Sequence, residues 1–139
     1  MKKHPNIEVL QTQYNEGDPG KAAANVSAVL ARAPNLAGVF GINVNSGIGT
    51  ANGVKSAGKT GTVKIAAFDA PAAMVDYIKS GLVDMAIAQH PAEIGWFGVL
   101  TAFAAAKGQA VPARINTGFT VMNKSNIDDP AISRYVYVK

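Results

Sequence analysis

Three polar side chains, Asn43, Asp69 and Gln89, each follow an apolar stretch of the chain. A carboxylate accepts hydrogen bonds, whereas a carboxamide both donates and accepts them. A ligand rich in hydroxyl groups needs both kinds of partner at fixed positions, and each hydrogen bond to the charged carboxylate would contribute about 1.5–3 kcal/mol. A phosphate would instead require arginine, lysine or a nest of backbone amides. The three residue types therefore favour a polyol over a phosphate as the ligand.

The apolar stretches before these residues predict three buried strands, at residues 36–42, 63–68 and 83–88. Segments with helical start and stop signals separate them, so strands and helices alternate along the chain. This alternation predicts an α/β fold with an open parallel sheet and helices on both faces. Because the carboxyl ends of parallel strands share one edge, where open α/β sheets bind ligands, the three polar residues should meet there.

The flanking segments predict further strands and helices. Alternating apolar and polar residues at 7–14 predict an additional strand, and Asp18 before Pro19 predicts the start of a helix. Ser46 is the predicted N-cap of the helix after the first buried strand. The remaining predicted elements are a helix opened by Pro71, an apolar helix at residues 91–107, a strand at 115–122 and a short edge strand at 135–138.

Two other interpretations of these residues stay open. Asn43 or Asp69 could simply cap the following helix, although glutamine is a poor cap and Gln89 fits that role less well. The segment from Gly47 to Gly53 is similar to the G-x-G-x-x-G fingerprint of dinucleotide-binding folds. Its third glycine stands one position late, and four residues separate the strand from the first glycine, where the fingerprint needs a tight turn. Such glycines more often allow close backbone approach to a sheet or a ligand.

Composition argues against several classes of function. The net charge of +4 is spread along 139 residues without a basic stripe, so we expect no nucleic-acid binding. Cysteine is absent and only two histidines occur, so neither a cysteine nucleophile nor a paired-histidine zinc site is expected. Without a nucleophile elbow either, we expect no catalysis, no metal and no cofactor. His90 is interpreted as a half-exposed loop residue or a helix cap, and no apolar stretch approaches the length of a membrane span.

Four segments of the chain resemble a known family: GVFGINVNSGIGTANGVKSAGK, VKIAAFDAP, YIKSGLVDMAIAQHP and GFTVMNKSNIDDP. In order and spacing they resemble the type I periplasmic sugar-binding proteins, the ribose-binding-like solute receptors of ABC transporters. The resemblance covers residues 7–130 and matches only the later part of such a receptor. It implies one lobe of a two-lobed fold, in which Asn43, Asp69 and Gln89 hydrogen-bond sugar hydroxyls. The family usually has an aspartate directly after the asparagine, where this chain has Val44.

The resemblance also implies how the chain is organised and what it contacts. Residues 1–107 correspond to a partial C-terminal-lobe α/β domain, and residues 108–139 to a hinge or crossover strand and the C-terminal tail. The implied partners are a small sugar or polyol and, for the full-length protein, the membrane permease of an ABC transporter. The parent protein would be periplasmic, although this chain shows no signal peptide. The alternative is the effector-binding domain of a lactose-repressor-type transcription regulator, which shares the two-lobed fold.

The apolar helix at residues 91–107 would lack a partner in a single lobe. It carries Trp96, Phe97 and Phe103, and an exposed apolar patch of that kind usually marks an interface. We therefore expect the isolated chain either to self-associate through this helix or to fold it back onto its own sheet. With one lobe missing, we also expect the chain alone to bind sugar weakly or undetectably.

Overall fold

The computed structural model describes residues 4–137, which form one four-stranded sheet and five helices. The strands are β1 (Gly38–Gly41), β2 (Lys64–Phe68), β3 (Met85–Gln89) and β4 (Phe119–Asn123). The helices are α1 (Pro19–Arg32), α2 (Val44–Ser56), α3 (Ala72–Ser80), α4 (Pro91–Ala106) and α5 (Pro130–Ser133). The predicted α/β class and open sheet are confirmed.

The sheet has the strand order β1-β2-β3-β4, and its direction changes at the last strand. β1, β2 and β3 are parallel, as predicted, whereas β4 is antiparallel to β3. The difference arises because α4 and the irregular segment after it return the chain to the edge where β3 ends. Phe119, the first residue of β4, therefore pairs with Gln89, the last residue of β3, and β4 runs back along the sheet.

One face of the sheet forms the core of the molecule. The fully buried residues of that face alternate along the strands and include Ile65, Ala67, Ala86, Ala88 and Met122. Helices α2 and α3 cover this face. If Gly47 of α2 carried a Cβ atom, that atom would lie 3.2 Å from the Cβ of Ala67 in β2 and 3.0 Å from the Cε of Met74 in α3. The opposite face leaves Phe40 and Phe119 exposed. The helical cover seen within residues 4–137 therefore protects one face far better than the other.

The glycines of α2 lie inside the helix and allow α1 to pack closely against it. A Cβ on Gly49 would be 2.3 Å from the Pro19 carbonyl oxygen, and one on Gly53 would be 2.9 Å from the Ala23 carbonyl oxygen. Because these glycines occupy a packed helix interface rather than a strand-to-helix turn, their amides are not presented to a phosphate. The resemblance to a dinucleotide fingerprint is therefore wrong. These glycines do permit close backbone approach, but Gly49 and Gly53 approach helix α1 and not the predicted sheet or ligand.

Two of the predicted strands are wrong, and the last strand of the sheet begins later than predicted. Residues 7–14 are exposed and pair with no strand among the described residues, and alternation without a neighbour cannot form a ladder. The predicted strand at 135–138 is reduced to a single bridge between Tyr137 and Pro71, while residue 138 lies outside the described residues. The predicted strand at 115–122 begins only at Phe119.

α4 is apolar but projects from the rest of the molecule without a buried residue. Trp96 is 66% exposed and Phe103 is 64% exposed. The expectation that this helix folds back onto its own sheet is therefore wrong, because such packing would bury at least one side of it. Within residues 4–137, neither α4 nor any other helix is long and apolar enough to cross a membrane.

Candidate functional site

Asn43, Asp69 and Gln89 lie at the carboxyl ends of three neighbouring parallel strands. Asn43 stands two residues after β1, Asp69 directly follows β2, and Gln89 is the last residue of β3. Since β2 pairs with both β1 and β3, these strand ends share one edge of the sheet, as the sequence predicts.

Asn43 is exposed and caps α2. Its Oδ1 accepts a hydrogen bond of 2.9 Å from the backbone amide of Ser46. The prediction that Ser46 is the N-cap is therefore wrong: Ser46 lies in the first turn and its hydroxyl donates to Asn15 Oδ1 at 3.0 Å. Capping occupies only the carbonyl half of the Asn43 side chain, and no hydrogen bond from its Nδ2 is formed to residues 4–137. That nitrogen remains free to donate to a ligand.

Asp69 and Gln89 form one hydrogen-bonded pair. Gln89 Nε2 donates to Asp69 Oδ1 at 2.7 Å, and both side chains are partly buried. The backbone of Asp69 has a φ of +73°, a left-handed conformation that costs most non-glycine residues about 1–2 kcal/mol and that aspartate tolerates better than most. A conformation of this kind persists only where surrounding contacts hold it.

Tyr137 completes this cluster, although the sequence did not identify it. Its hydroxyl donates to Asp69 Oδ1 at 2.9 Å. Burial raises the pKa of Tyr137 to about 12, and the hydrogen bond and the negative charge of Asp69 act in the same direction. The hydroxyl therefore stays protonated, and a donor, well above neutral pH. The only signal in the sequence was the alternating Tyr135-Val136-Tyr137, which suggests extended backbone but not its neighbour.

His90 lies beside the cluster at the start of α4. It occupies the N-cap position without a side-chain capping bond, and it is partly buried, in agreement with its predicted role. Its ring stacks on Tyr135 with centroids 3.8 Å apart, and its Nε2 lies 2.8 Å from Thr120 Oγ1. Gly118, with a φ of +80°, approaches the ring so closely that a Cβ would be 3.1 Å from Nδ1. These contacts connect the start of α4 to the beginning of β4 and to the C-terminal segment that follows α5.

A cavity of about 520 Å³ lies between the start of α4 and residues 134–137. Tyr137 contributes to its lining, whereas Asn43, Asp69 and Gln89 do not. Glu93 Oε2 faces this region without a hydrogen-bond partner, and Glu93 Oε1 is 3.8 Å from Arg134. Tyr137 therefore borders both the polar cluster and this cavity, whereas the three predicted residues lie outside the cavity lining.

The arrangement at the strand ends is suited to binding polar ligands. Between His4 and Tyr137, no three histidine, cysteine, aspartate or glutamate side chains are grouped as a metal site. Asp69, Gln89 and Tyr137 combine one carboxylate with two neutral groups that can donate and accept. Such a cluster can bind hydroxyl groups in a fixed orientation without changing them chemically.

Comparison with known proteins identifies relatives of this chain. The chain matches the family profile described as a periplasmic binding protein domain over residues 1–110. It is 31% identical over 113 residues to the D-allose-binding periplasmic protein of Escherichia coli K12, a match covering 81% of this chain and 36% of that protein. It is 33% identical over 118 residues to the ribose import binding protein of Haemophilus influenzae, a match covering 85% of this chain and 40% of that protein.

The chain is also similar to a solved ABC transporter solute binding protein from Agrobacterium vitis bound to α-D-tagatopyranose. The two share 59% sequence identity with a TM-score of 0.96, and the match covers 100% of this chain and 47% of that chain. The chain therefore spans less than half the length of each of these relatives. The region matched by the family profile includes Asn43, Asp69 and Gln89, whereas Tyr137 lies beyond it.

Proposed function

The chain belongs to the periplasmic binding protein family, and we propose that it forms part of a sugar-binding solute receptor of an ABC transporter. The observation that carries this proposal is the Asp69–Gln89 pair at the ligand-binding edge of the sheet, together with relatives named for binding allose, ribose and tagatopyranose. These names favour a solute receptor over the effector domain of a transcription regulator. They are names of binding proteins, so the proposed role is binding without catalysis.

Each of the three predicted residues has a distinct role in this proposal. Asn43 uses its oxygen to cap α2, so its Nδ2 would donate to a sugar oxygen. Gln89 uses its nitrogen on Asp69, so its Oε1 would accept from a sugar hydroxyl. Asp69 would accept through Oδ2, which receives no hydrogen bond from residues 4–137. One donor and two acceptors match a ligand whose neighbouring hydroxyls can serve in either role.

The proposal extends to the longer receptor of which this chain would supply one side. Residues 1–107 would form part of the C-terminal lobe, and residues 108–139 the crossover strand and tail. A second lobe would provide further contacts, and closure of the two lobes around the sugar would be recognised by the membrane permease. Such a receptor would act in the periplasm. Because one side of the site is missing, the chain alone should bind sugar with a Kd of about 1–100 mM, which is too weak for calorimetry but detectable by nuclear magnetic resonance at high sugar concentration.

The test is a titration of this chain with D-allose, D-ribose and D-tagatose, followed by nuclear magnetic resonance. Asp69→Asn removes the charge of the proposed acceptor, and we expect it to weaken binding about tenfold, as for the loss of a charge-assisted hydrogen bond. Asp76→Asn is the matched control, because Asp76 is exposed on α3 and makes no side-chain hydrogen bond with residues 4–137. The proposal is contradicted if both variants bind alike, or if none of the three sugars binds the unaltered chain. Micromolar binding would contradict only the expectation that the chain alone binds weakly.

We also propose that the isolated chain self-associates through α4. Between Glu93 and Lys107 the helix carries no charged residue, and its exposed apolar side chains lie on more than one side. These side chains are Ile94, Trp96, Phe97, Val99, Leu100 and Phe103. Burial of apolar area stabilises an interface by about 25 cal/mol per Å². A second copy of the same helix offers a matching apolar surface.

Sedimentation of the isolated chain at several concentrations tests this proposal. We expect a mass that rises with concentration, accompanied by a blue shift of Trp96 fluorescence as the indole leaves water. Trp96 is the only tryptophan, so its emission reports on α4 alone. A monodisperse monomer whose emission is typical of a water-exposed indole would rule out self-association through this helix.

A further inference from the structure

The C-terminal segment of the described chain reaches back to the strand ends. The backbone amide of Tyr137 donates to the Ala70 carbonyl oxygen at 2.9 Å, and Tyr137 forms a parallel bridge with Pro71. These contacts place the tyrosine against the residues that immediately follow Asp69. Its hydroxyl then reaches the Asp69 carboxylate at 2.9 Å. Tyr137 thus contacts both the backbone of this short turn and the side chain of Asp69.

The two oxygens of the Asp69 carboxylate have different surroundings. Oδ1 accepts hydrogen bonds from Gln89 Nε2 at 2.7 Å and from the Tyr137 hydroxyl at 2.9 Å. Oδ2 accepts no hydrogen bond from residues 4–137. Because Oδ2 is not among the buried polar atoms that lack a partner, it is accessible to solvent. With one oxygen held by two donors, rotation of the side chain about its Cα–Cβ bond is restricted, as is rotation of the carboxylate about Cβ–Cγ. The other oxygen therefore keeps a fixed direction.

The backbone at Asp69 makes such support necessary. Its φ of +73° is a conformation that a non-glycine residue adopts at a cost and keeps only when neighbouring contacts fix it. The amide of Asp69 donates to Ile87 O at 2.9 Å, which fixes the backbone from the side of β3. Tyr137 fixes the following residues from the other side.

We propose that Tyr137 is a positioning residue, which holds one oxygen of the Asp69 carboxylate so that the other faces an incoming sugar hydroxyl. This inference rests on the proposed function and adds a fourth residue, from the far end of the chain, to the predicted three. Tyr137 acts through Asp69 and does not itself contact the sugar. A phenol suits this role because it stays protonated, and hence a donor, throughout the neutral pH range.

The test uses Tyr137→Phe, which removes the hydroxyl and keeps the ring. Tyr135→Phe is the matched control, because Tyr135 lies two residues away, stacks on His90 and makes no hydrogen bond through its hydroxyl with residues 4–137. In ¹³C,¹⁵N-labelled protein, three-bond couplings to Asp69 Cγ report the χ1 rotamer of that side chain directly. Titration of each variant with D-allose, D-ribose and D-tagatose measures affinity on the same samples.

We expect Tyr137→Phe to change the Asp69 couplings from those of one rotamer toward an average. We also expect about three- to tenfold weaker sugar binding, as when a single orienting hydrogen bond is lost. Tyr135→Phe should leave the couplings unchanged and the affinity within about twofold.

Unaltered Asp69 couplings in Tyr137→Phe would overturn the proposal, whatever the sugars do. Equal losses of affinity in the two variants would overturn it as well, because they would reflect a general effect on the C-terminal segment. If the unaltered chain binds none of the sugars but the couplings change in Tyr137→Phe alone, positioning by Tyr137 is supported and the proposed function fails. The two proposals can therefore be distinguished.

Discussion

The close packing of α1 against α2 gives the sharpest prediction for stability, at Gly49. Replacing Gly49 with alanine would place a Cβ 2.3 Å from the Pro19 carbonyl oxygen and 2.5 Å from Ala22 Cβ. Ordinary contact requires α1 to move away by about 1 Å, since neither atom belongs to a flexible side chain. That movement loosens an interface that buries Val26 and Leu30.

The size of the effect follows from two opposing contributions. Overpacking a rigid interface costs about 1–3 kcal/mol, and a clash with backbone lies at the upper end of that range. Alanine is a better helix former than glycine by about 1 kcal/mol, which offsets part of the loss. We therefore expect Gly49→Ala to lower the free energy of unfolding by about 2 kcal/mol.

Two other glycines provide graded controls. A Cβ on Gly53 would lie 2.9 Å from the Ala23 carbonyl oxygen, so Gly53→Ala should destabilise the chain less than Gly49→Ala. Gly98 in α4 has no atom within 4 Å of its would-be Cβ, so Gly98→Ala should stabilise the chain by up to about 1 kcal/mol.

Urea unfolding followed by circular dichroism measures all three variants. Two protein concentrations are needed, so that any contribution from association through α4 can be separated from the stability of the fold. The expected order, from the most to the least stable, is Gly98→Ala, the unaltered chain, Gly53→Ala and then Gly49→Ala. A Gly49→Ala variant as stable as the unaltered chain would refute the close approach of α1 to α2.

Three further predictions concern other parts of the molecule. Asp84 accepts from the Ile65 amide at 2.8 Å and from a neighbouring lysine, so Asp84→Asn should lower stability in urea by about 1–2 kcal/mol, whereas Asp76→Asn should not. The folded state raises the pKa of Tyr137 to about 12 from an ordinary value near 10, so the contribution of Tyr137 to stability is complete below pH 10 and lost between about pH 10 and 12. The free energies of unfolding of the unaltered chain and of Tyr137→Phe should therefore converge over that interval, and a constant difference between them would contradict this prediction. Val99→Lys on α4 should reduce the sedimenting mass toward that of the monomer, and an unchanged mass would show that α4 is not the interface.

The sheet and the shared edge of its strands could be predicted because both depend on local sequence. Apolar stretches followed by a polar residue identify parallel strands and the points where they stop, and the structure has β1, β2 and β3 there. The N-cap of α2 was misassigned because Asn43 and Ser46 can both cap a helix. Which of them caps α2 depends on the residue at which β1 ends, and the sequence pattern defines that position only to within a few residues.

The other incorrect or missing predictions concern contacts between distant residues. Residues 7–14 have the alternation of a strand, but a strand requires a neighbour, and no local pattern reports whether one is present. The contact between Tyr137 and Asp69 joins residues 68 positions apart, so no periodicity could reveal it. The glycines of α2 resembled a phosphate-binding turn because spacing alone does not distinguish a turn from a packed helix interface.

A map of amide chemical-shift changes on adding D-allose, D-ribose or D-tagatose to the ¹⁵N-labelled chain tests the central claim most directly. The account predicts saturable changes at Asn43, Asp69 and Gln89 and at the residues next to them along the chain. Changes confined to α4 or to residues 134–137, or no changes at all, would contradict a sugar site at the carboxyl edge of the sheet.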